Sequence, residues 1–124
     1  MNLEFIDHIV LMIKDVNRTE SFYSQFLGKP FFKDEFSIAY KIGNTRIFFR
    51  LPYNEIKDNK FDKDRFGLNH LAFGVKSVEE LNKFADILDG VGVKHSEIKI
   101  GKFGNEYIWF DDPDGIRLEF YVRV

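Results

Sequence analysis

A shift of 62 residues lays the first half of this chain on the second. His8 falls on His70, Lys14 on Lys76, Val16 on Val78, Phe22 on Phe84 and Gly28 on Gly90. Between these identities the apolar class is kept: Ile6 meets Leu68, Ile9 meets Leu71 and Ile13 meets Val75. The two segments read IDHIVLMIKDV and LNHLAFGVKSV. A duplicated supersecondary unit constrains the fold more than any propensity does, because one solution must serve both copies.

Each copy reads as β-α-β-β-β. In the first, residues 4–14 are rich in Ile and Val and predict a strand. Asp15 or Asn17 can cap a helix over about 18–27, with Phe22 and Phe26 on one face. Gly28 stops that helix and Pro30 forbids a restart. Strands follow at about 31–34, 36–42 and 45–51, with Gly43-Asn44 as the hairpin turn. The polar stretch 54–66, NEIKDNKFDKDRF, reads as a linker. In the second copy, strand 67–75 leads into a helix at about 78–89, opened by the capping pattern Ser77 to Glu80. Strands at about 93–99, 105–111 and 115–123 complete it, with Asp112-Pro113-Asp114-Gly115 as a turn.

Composition narrows the function. The net charge of −2 offers no basic surplus for neutralising phosphates, which argues against nucleic-acid binding. There is no cysteine, so disulfides, thiolate metal sites and Cys nucleophiles are excluded together. The apolar run Ile9–Ile13 is far short of the ~20 residues of a membrane span. The start MNLEFIDH has no basic region followed by a long apolar run, so the expected compartment is the cytoplasm. Fifteen phenylalanines provide bulky surface for a pocket or a subunit interface as well as a core.

Three residues stand out chemically. His8 and His70 occupy the same repeat position on strands, where alternate residues share a face. His8 shares its face with Ile6, Val10 and Met12; His70 shares its own with Leu68, Ala72 and Gly74. In the last strand Leu118, Phe120 and Val122 make an apolar face, with Arg117, Glu119 and Tyr121 on the other. A glutamate in so apolar a strand is costly to bury unless paired or metal-bound. Two His and one Glu suit a divalent ion such as Mn, Fe, Ni or Zn. The plainer alternative leaves both histidines as hydrogen-bonded strand residues and pairs Glu119 with Arg117 or Arg123. His95 has no counterpart in the first repeat and reads as a surface or loop residue.

The motifs D-H-I-V-L at 7–11, R-T-E-S-F-Y-S-Q-F-L-G at 18–28, N-H-L-A-F-G-V at 69–75 and D-P-D-G-I-R-L-E-F at 112–120 carry a family likeness. The chain resembles the vicinal oxygen chelate superfamily of glyoxalase I, fosfomycin-resistance enzymes, extradiol dioxygenases and bleomycin-resistance proteins. The resemblance implies an α+β, glyoxalase-like fold in which two βαβββ modules form a curved mixed sheet around a concave site. One domain over 1–124 would comprise module 1 (about 3–53), the linker (about 54–66) and module 2 (about 67–124). Carried over by motif, the implied metal ligands are His8, His70 and Glu119. The family's fourth position falls in TRIFFRL: aligning Arg46-Ile47-Phe48 with Arg117-Leu118-Glu119 places Phe48 there, and a two-residue slip places Arg50. Neither is a carboxylate, which separates this chain from the four-ligand glyoxalase I pattern.

A three-ligand set looks more like the fosfomycin-resistance and dioxygenase branches. It implies one divalent ion per site, chelated by vicinal oxygens of a small-molecule substrate in a lyase, isomerase, dioxygenase or thiol-transferase reaction. The alternative within the same likeness is a metal-free drug-binding protein of the bleomycin-resistance kind. Substrate-facing candidates are Arg50, Phe48, Trp109, Arg117 and Tyr121, whereas Tyr40 reads as a packed sheet residue. No general base is assigned. The resemblance also implies a homodimer.

Overall fold

A computed structural model of the chain describes residues 1–123, and they divide into two compact units, Met1–Asn59 and Lys60 onward. In the first, β1 (His8–Met12) is followed by α1 (Val16–Leu27), β2 (Phe32–Lys33), β3 (Ser37–Ile42) and β4 (Thr45–Arg50). The second repeats the order as β5 (Leu71–Val75), α2 (Val78–Gly90), β6 (Lys99–Ile100), β7 (Glu106–Asp111) and β8 (Arg117–Val122). The sheets run β1-β4-β3-β2 and β5-β8-β7-β6. In each, the first strand pairs in parallel with the last, and the remaining pairs are antiparallel. Each unit is therefore one βαβββ module of an α+β fold.

The helices form where the sequence caps them. Asp15 Oδ1 accepts from the Arg18 N–H at 2.9 Å, and Ser77 Oγ accepts from the Glu80 N–H at 3.1 Å. These bonds satisfy donors that the first helical turn leaves open. Each helix then covers one face of its own sheet. In the first unit Tyr23 lies 4.2 Å from the Phe49 ring, over buried Ile38, Tyr40 and Ile47. In the second, Phe84 stacks on Phe120 at 4.6 Å, over buried Ile108, Phe110 and Leu118. Tyr40 is fully buried, as its reading as a packed residue requires, and its hydroxyl lies 2.7 Å from Ser24 Oγ.

Several expected strands are shorter in the structure; the one expected at 67–75 begins only at Leu71, so His70 lies just ahead of β5 rather than on it. The first strand begins at His8 because its partner β4 begins at Thr45; ahead of it the Arg46 N–H to Asp7 carbonyl bond and the Thr45 hydroxyl to Ile6 carbonyl bond hold the chain. The expected strand at 93–99 reduces to a single bridge, His95 to Phe110, followed by the short β6. The cause is Ser96: its hydroxyl accepts the Trp109 N–H at 3.0 Å, so a side chain replaces a ladder carbonyl.

His95 is correspondingly not a surface residue. Its side chain is 17% exposed, with Nε2 2.7 Å from Asp89 Oδ1 and Nδ1 2.7 Å from the Ser96 carbonyl. Burial pulls the imidazole pKa down, but the Ser96 carbonyl and the Asp89 carboxylate outweigh it and leave the pKa raised. A raised folded-state pKa gives stability that is complete below the unfolded value of about 6.5 and is lost as pH rises through the folded pKa. The melting temperature is therefore expected to fall above about pH 6.5. In Asp89→Asn that step should shrink; an unchanged step would assign it to another group.

Candidate functional site

The alternation that buries Ile47, Phe49, Leu118 and Phe120 under the helices turns their neighbours to the opposite, helix-free face of each sheet. In the second unit this open face carries Arg117, Glu119 and Tyr121 on β8. Ala72 and Gly74 of β5 stand beside Glu119 and Tyr121, and Tyr107, Trp109 and Asp111 of β7 stand opposite. In the first unit it carries Arg46, Phe48 and Arg50 on β4, in register with His8, Val10 and Met12 on β1. The expected site residues that lie on strands thus fall on the open faces, and His70 immediately precedes β5.

His70 and Glu119 come together. His70 Nε2 lies 3.5 Å from Glu119 Oε1, and the Glu119 side chain is only 15% exposed. The other ring nitrogen, Nδ1, lies 2.7 Å from Asn69 Oδ1. The Asn69 amide is itself oriented, because its Nδ2 donates to the Lys63 carbonyl at 2.8 Å. Oδ1 therefore faces the ring and can only accept, so His70 Nδ1 carries the proton. That leaves the Nε2 position and a carboxylate oxygen facing each other across a gap that a shared cation can bridge. Metal ligands at about 2.0–2.2 Å from one ion lie roughly 3–3.5 Å from each other, so the separation suits shared coordination. A histidine whose Nδ1–H is held by a neighbouring acceptor is also the usual form of a metal ligand. The donor set, imidazole with carboxylate, fits a borderline divalent ion.

Neither arginine neighbour competes for Glu119. Arg117 Nε donates to Asp111 Oδ1 at 2.7 Å and its guanidinium lies 4.2 Å from the Trp109 ring centroid. Arg123 lies over the Tyr121 ring at 5.1 Å. Tyr121 stacks on Tyr107 and donates its hydroxyl to Asn105 Oδ1 at 3.2 Å. Trp109 stands opposite Glu119 across the β7–β8 ladder.

The first unit is built on the same plan with different chemistry. His8 Nδ1 lies 3.6 Å from Asp7 Oδ2, the residue one repeat before Asn69. Val10 pairs with Phe48 where Ala72 pairs with Glu119, so Phe48 occupies the position equivalent to Glu119. Its ring stands 5.8 Å from that of His8. Arg50 lies one pair further along, its guanidinium 3.9 Å from the Tyr53 ring centroid and 5.9 Å from that of Phe36. Its Nε is buried without a hydrogen-bond partner. Among the described residues no three His, Cys, Asp or Glu side chains gather as a metal cluster. Asn69 and Asn105 were not foreseen; the N-H and D-H dipeptides at equivalent repeat positions were the available signal for Asn69.

Comparison with known proteins bears on this arrangement directly. The sequence model of the Glyoxalase/Bleomycin resistance protein/Dioxygenase superfamily matches residues 5–120. The chain belongs to this superfamily. It is 27% identical over 130 residues to the metallothiol transferase FosB of Lysinibacillus sphaericus, covering 98% of this chain and 84% of that protein. It is 25% identical over 131 residues to YwkD of Bacillus subtilis, an uncharacterised protein, covering 99% and 100%. The glyoxylase/bleomycin resistance protein/dioxygenase domain from Frankia superposes with a TM-score of 0.82 at 24% identity, over 99% of this chain and 100% of that one. The fosfomycin resistance protein FosX from Listeria monocytogenes gives 0.73 at 20%, over 99% and 96%. These superpositions establish the glyoxalase fold, which hosts many reactions. Among the described residues no helix is long and apolar enough to cross a membrane.

Proposed function

We propose that this glyoxalase-superfamily chain is a metal-dependent enzyme acting on a small molecule that presents two vicinal oxygens. His70 and Glu119 hold the divalent ion (Mn, Fe, Ni or Zn), with His8 as third ligand. The observation that carries the reading is the 3.5 Å approach of His70 Nε2 to Glu119 Oε1, with the His70 proton fixed on Nδ1 by Asn69. When bound, the ion supplies Lewis acidity to substrate oxygens. Asn69 orients the imidazole, Trp109 stands across the ladder from Glu119, and Tyr121 and Arg117 share the open face with it. Absence of a carboxylate at Phe48 favours a three-ligand site with open positions for substrate. Likeness to a metallothiol transferase supports a group transfer by a thiol among the possible reactions.

The protein works as a homodimer in this reading. Val10 and Met12 remain 48% and 43% exposed on β1, which is an edge of its sheet. A second reading, a metal-free small-molecule binder, is favoured by one observation: Phe48 stands in the position of a ligand and contacts Phe31 at 6.0 Å. Elemental analysis of purified protein decides between them. One divalent ion per site, lost in His70→Ala, supports the enzyme. A chain that takes no metal after reconstitution is the binder.

A further inference from the structure

Cross-strand pairing separates the two modules. In the second unit Arg117 stands directly opposite Asp111 and pairs with it at 2.7 Å. The corresponding arginine in the first unit is Arg46, since Ile47 and Phe48 occupy the positions of Leu118 and Glu119 against the first strand. Its partner across the β3–β4 ladder is Lys41. An ion pair in one module is thus a pair of like charges in the other. Opposed side chains on an antiparallel ladder have Cβ atoms about 4.5–5.5 Å apart, where like charges destabilise. Among the described residues neither Lys41 nor Arg46 makes an ion pair or a side-chain hydrogen bond. The carboxylate of Asp7 lies by His8 instead.

The surroundings of this cation pair are apolar and aromatic. The Arg46 guanidinium lies 5.9 Å from the Phe31 ring centroid, and Phe31 meets Phe48 edge to face at 6.0 Å. Arg46 is also in direct register with His8 on β1. We propose that Lys41 and Arg46 bind an oxyanion of the substrate, a carboxylate, phosphate or phosphonate, whose apolar body lies on Phe31 and Phe48. One anion between the two cations converts their repulsion into a clamp, and the arginine fork supplies directed donors to its oxygens. The inference shares the substrate with the metal reading above, but the cation pair stands without it.

The test titrates phenylphosphonate into the whole protein by calorimetry, with and without Mn(II), against inorganic phosphate. Phenylphosphonate is expected to bind more tightly than phosphate, and to weaken about tenfold or more in Lys41→Asp and in Arg46→Met. Lys41→Asp rebuilds the ion pair of the second module, so it should melt no lower than the wild type and keep the same Mn content. Loss of binding there is then not unfolding. Failure of the wild type to bind phenylphosphonate in either metal state, or unchanged binding in both variants, overturns the proposal. Binding that depends on Lys41 and Arg46 in a protein that takes no metal upholds the anion site and refutes the metal reading. Normal metal content without phenylphosphonate binding does the reverse.

Discussion

Glu119→Gln is expected to leave the fold intact and to lower divalent-ion affinity by more than about a hundredfold, the upper range seen for residues that merely orient ligands. The substitution keeps the shape of the side chain and removes its charge. Its position on the open face keeps the change away from the helix-packed core, where Leu118 and Phe120 point. The carboxamide has no negative charge to share a cation with His70 Nε2, which lies 3.5 Å from the present oxygen. Metal titration followed by calorimetry, alongside circular dichroism, reads both effects. A variant that binds metal as tightly as the wild type would remove Glu119 from the ligand set. A variant that unfolds would show that the His70–Glu119 pair is structural.

Phe120→Ala is expected to act the opposite way, on stability. Phe120 is 2% exposed and its ring lies 4.6 Å from Phe84, 4.8 Å from Phe110 and 6.2 Å from Phe73. Truncation leaves a cavity walled by rigid rings that collapse poorly, so the cost should be about 3–5 kcal/mol. That is a large part of the roughly 5–15 kcal/mol that holds a typical domain folded. Urea unfolding should show a lower midpoint with an unchanged slope. A loss below about 1 kcal/mol would mean that the aromatic cluster repacks freely.

The βαβββ order was legible because its signals are local. Strand alternation, the Asp15 and Ser77 caps and the Gly28 stop each act within a few residues, and the repeat supplied a second reading of the order. What was not legible depends on partners distant in sequence. Parity alone could not separate Phe48 from Arg50, because both share a face; the parallel register of β4 on β1 places Phe48 at the equivalent of Glu119. Ser96 ended an expected strand by capturing the Trp109 N–H, a choice no β-propensity encodes. His95 looked peripheral because its partner Asp89 belongs to the end of α2. The carbonyl that orients Asn69 comes from Lys63, in a stretch whose composition reads only as polar linker. Lys41 opposite Arg46 likewise emerges only once the hairpin register is known.

The position of Trp109 has an optical consequence. It is the single tryptophan of the chain. Its indole stands across the ladder from Glu119 with a guanidinium 4.2 Å from the ring centroid, and its backbone is tied to Ser96. The ultraviolet emission excited selectively at long wavelength therefore originates beside the proposed ligand carboxylate and nowhere else in the molecule. A paramagnetic ion arriving there quenches that emission, while a spectroscopically silent ion shifts it by changing the local field. The protein carries its own unlabelled gauge of occupancy at that spot.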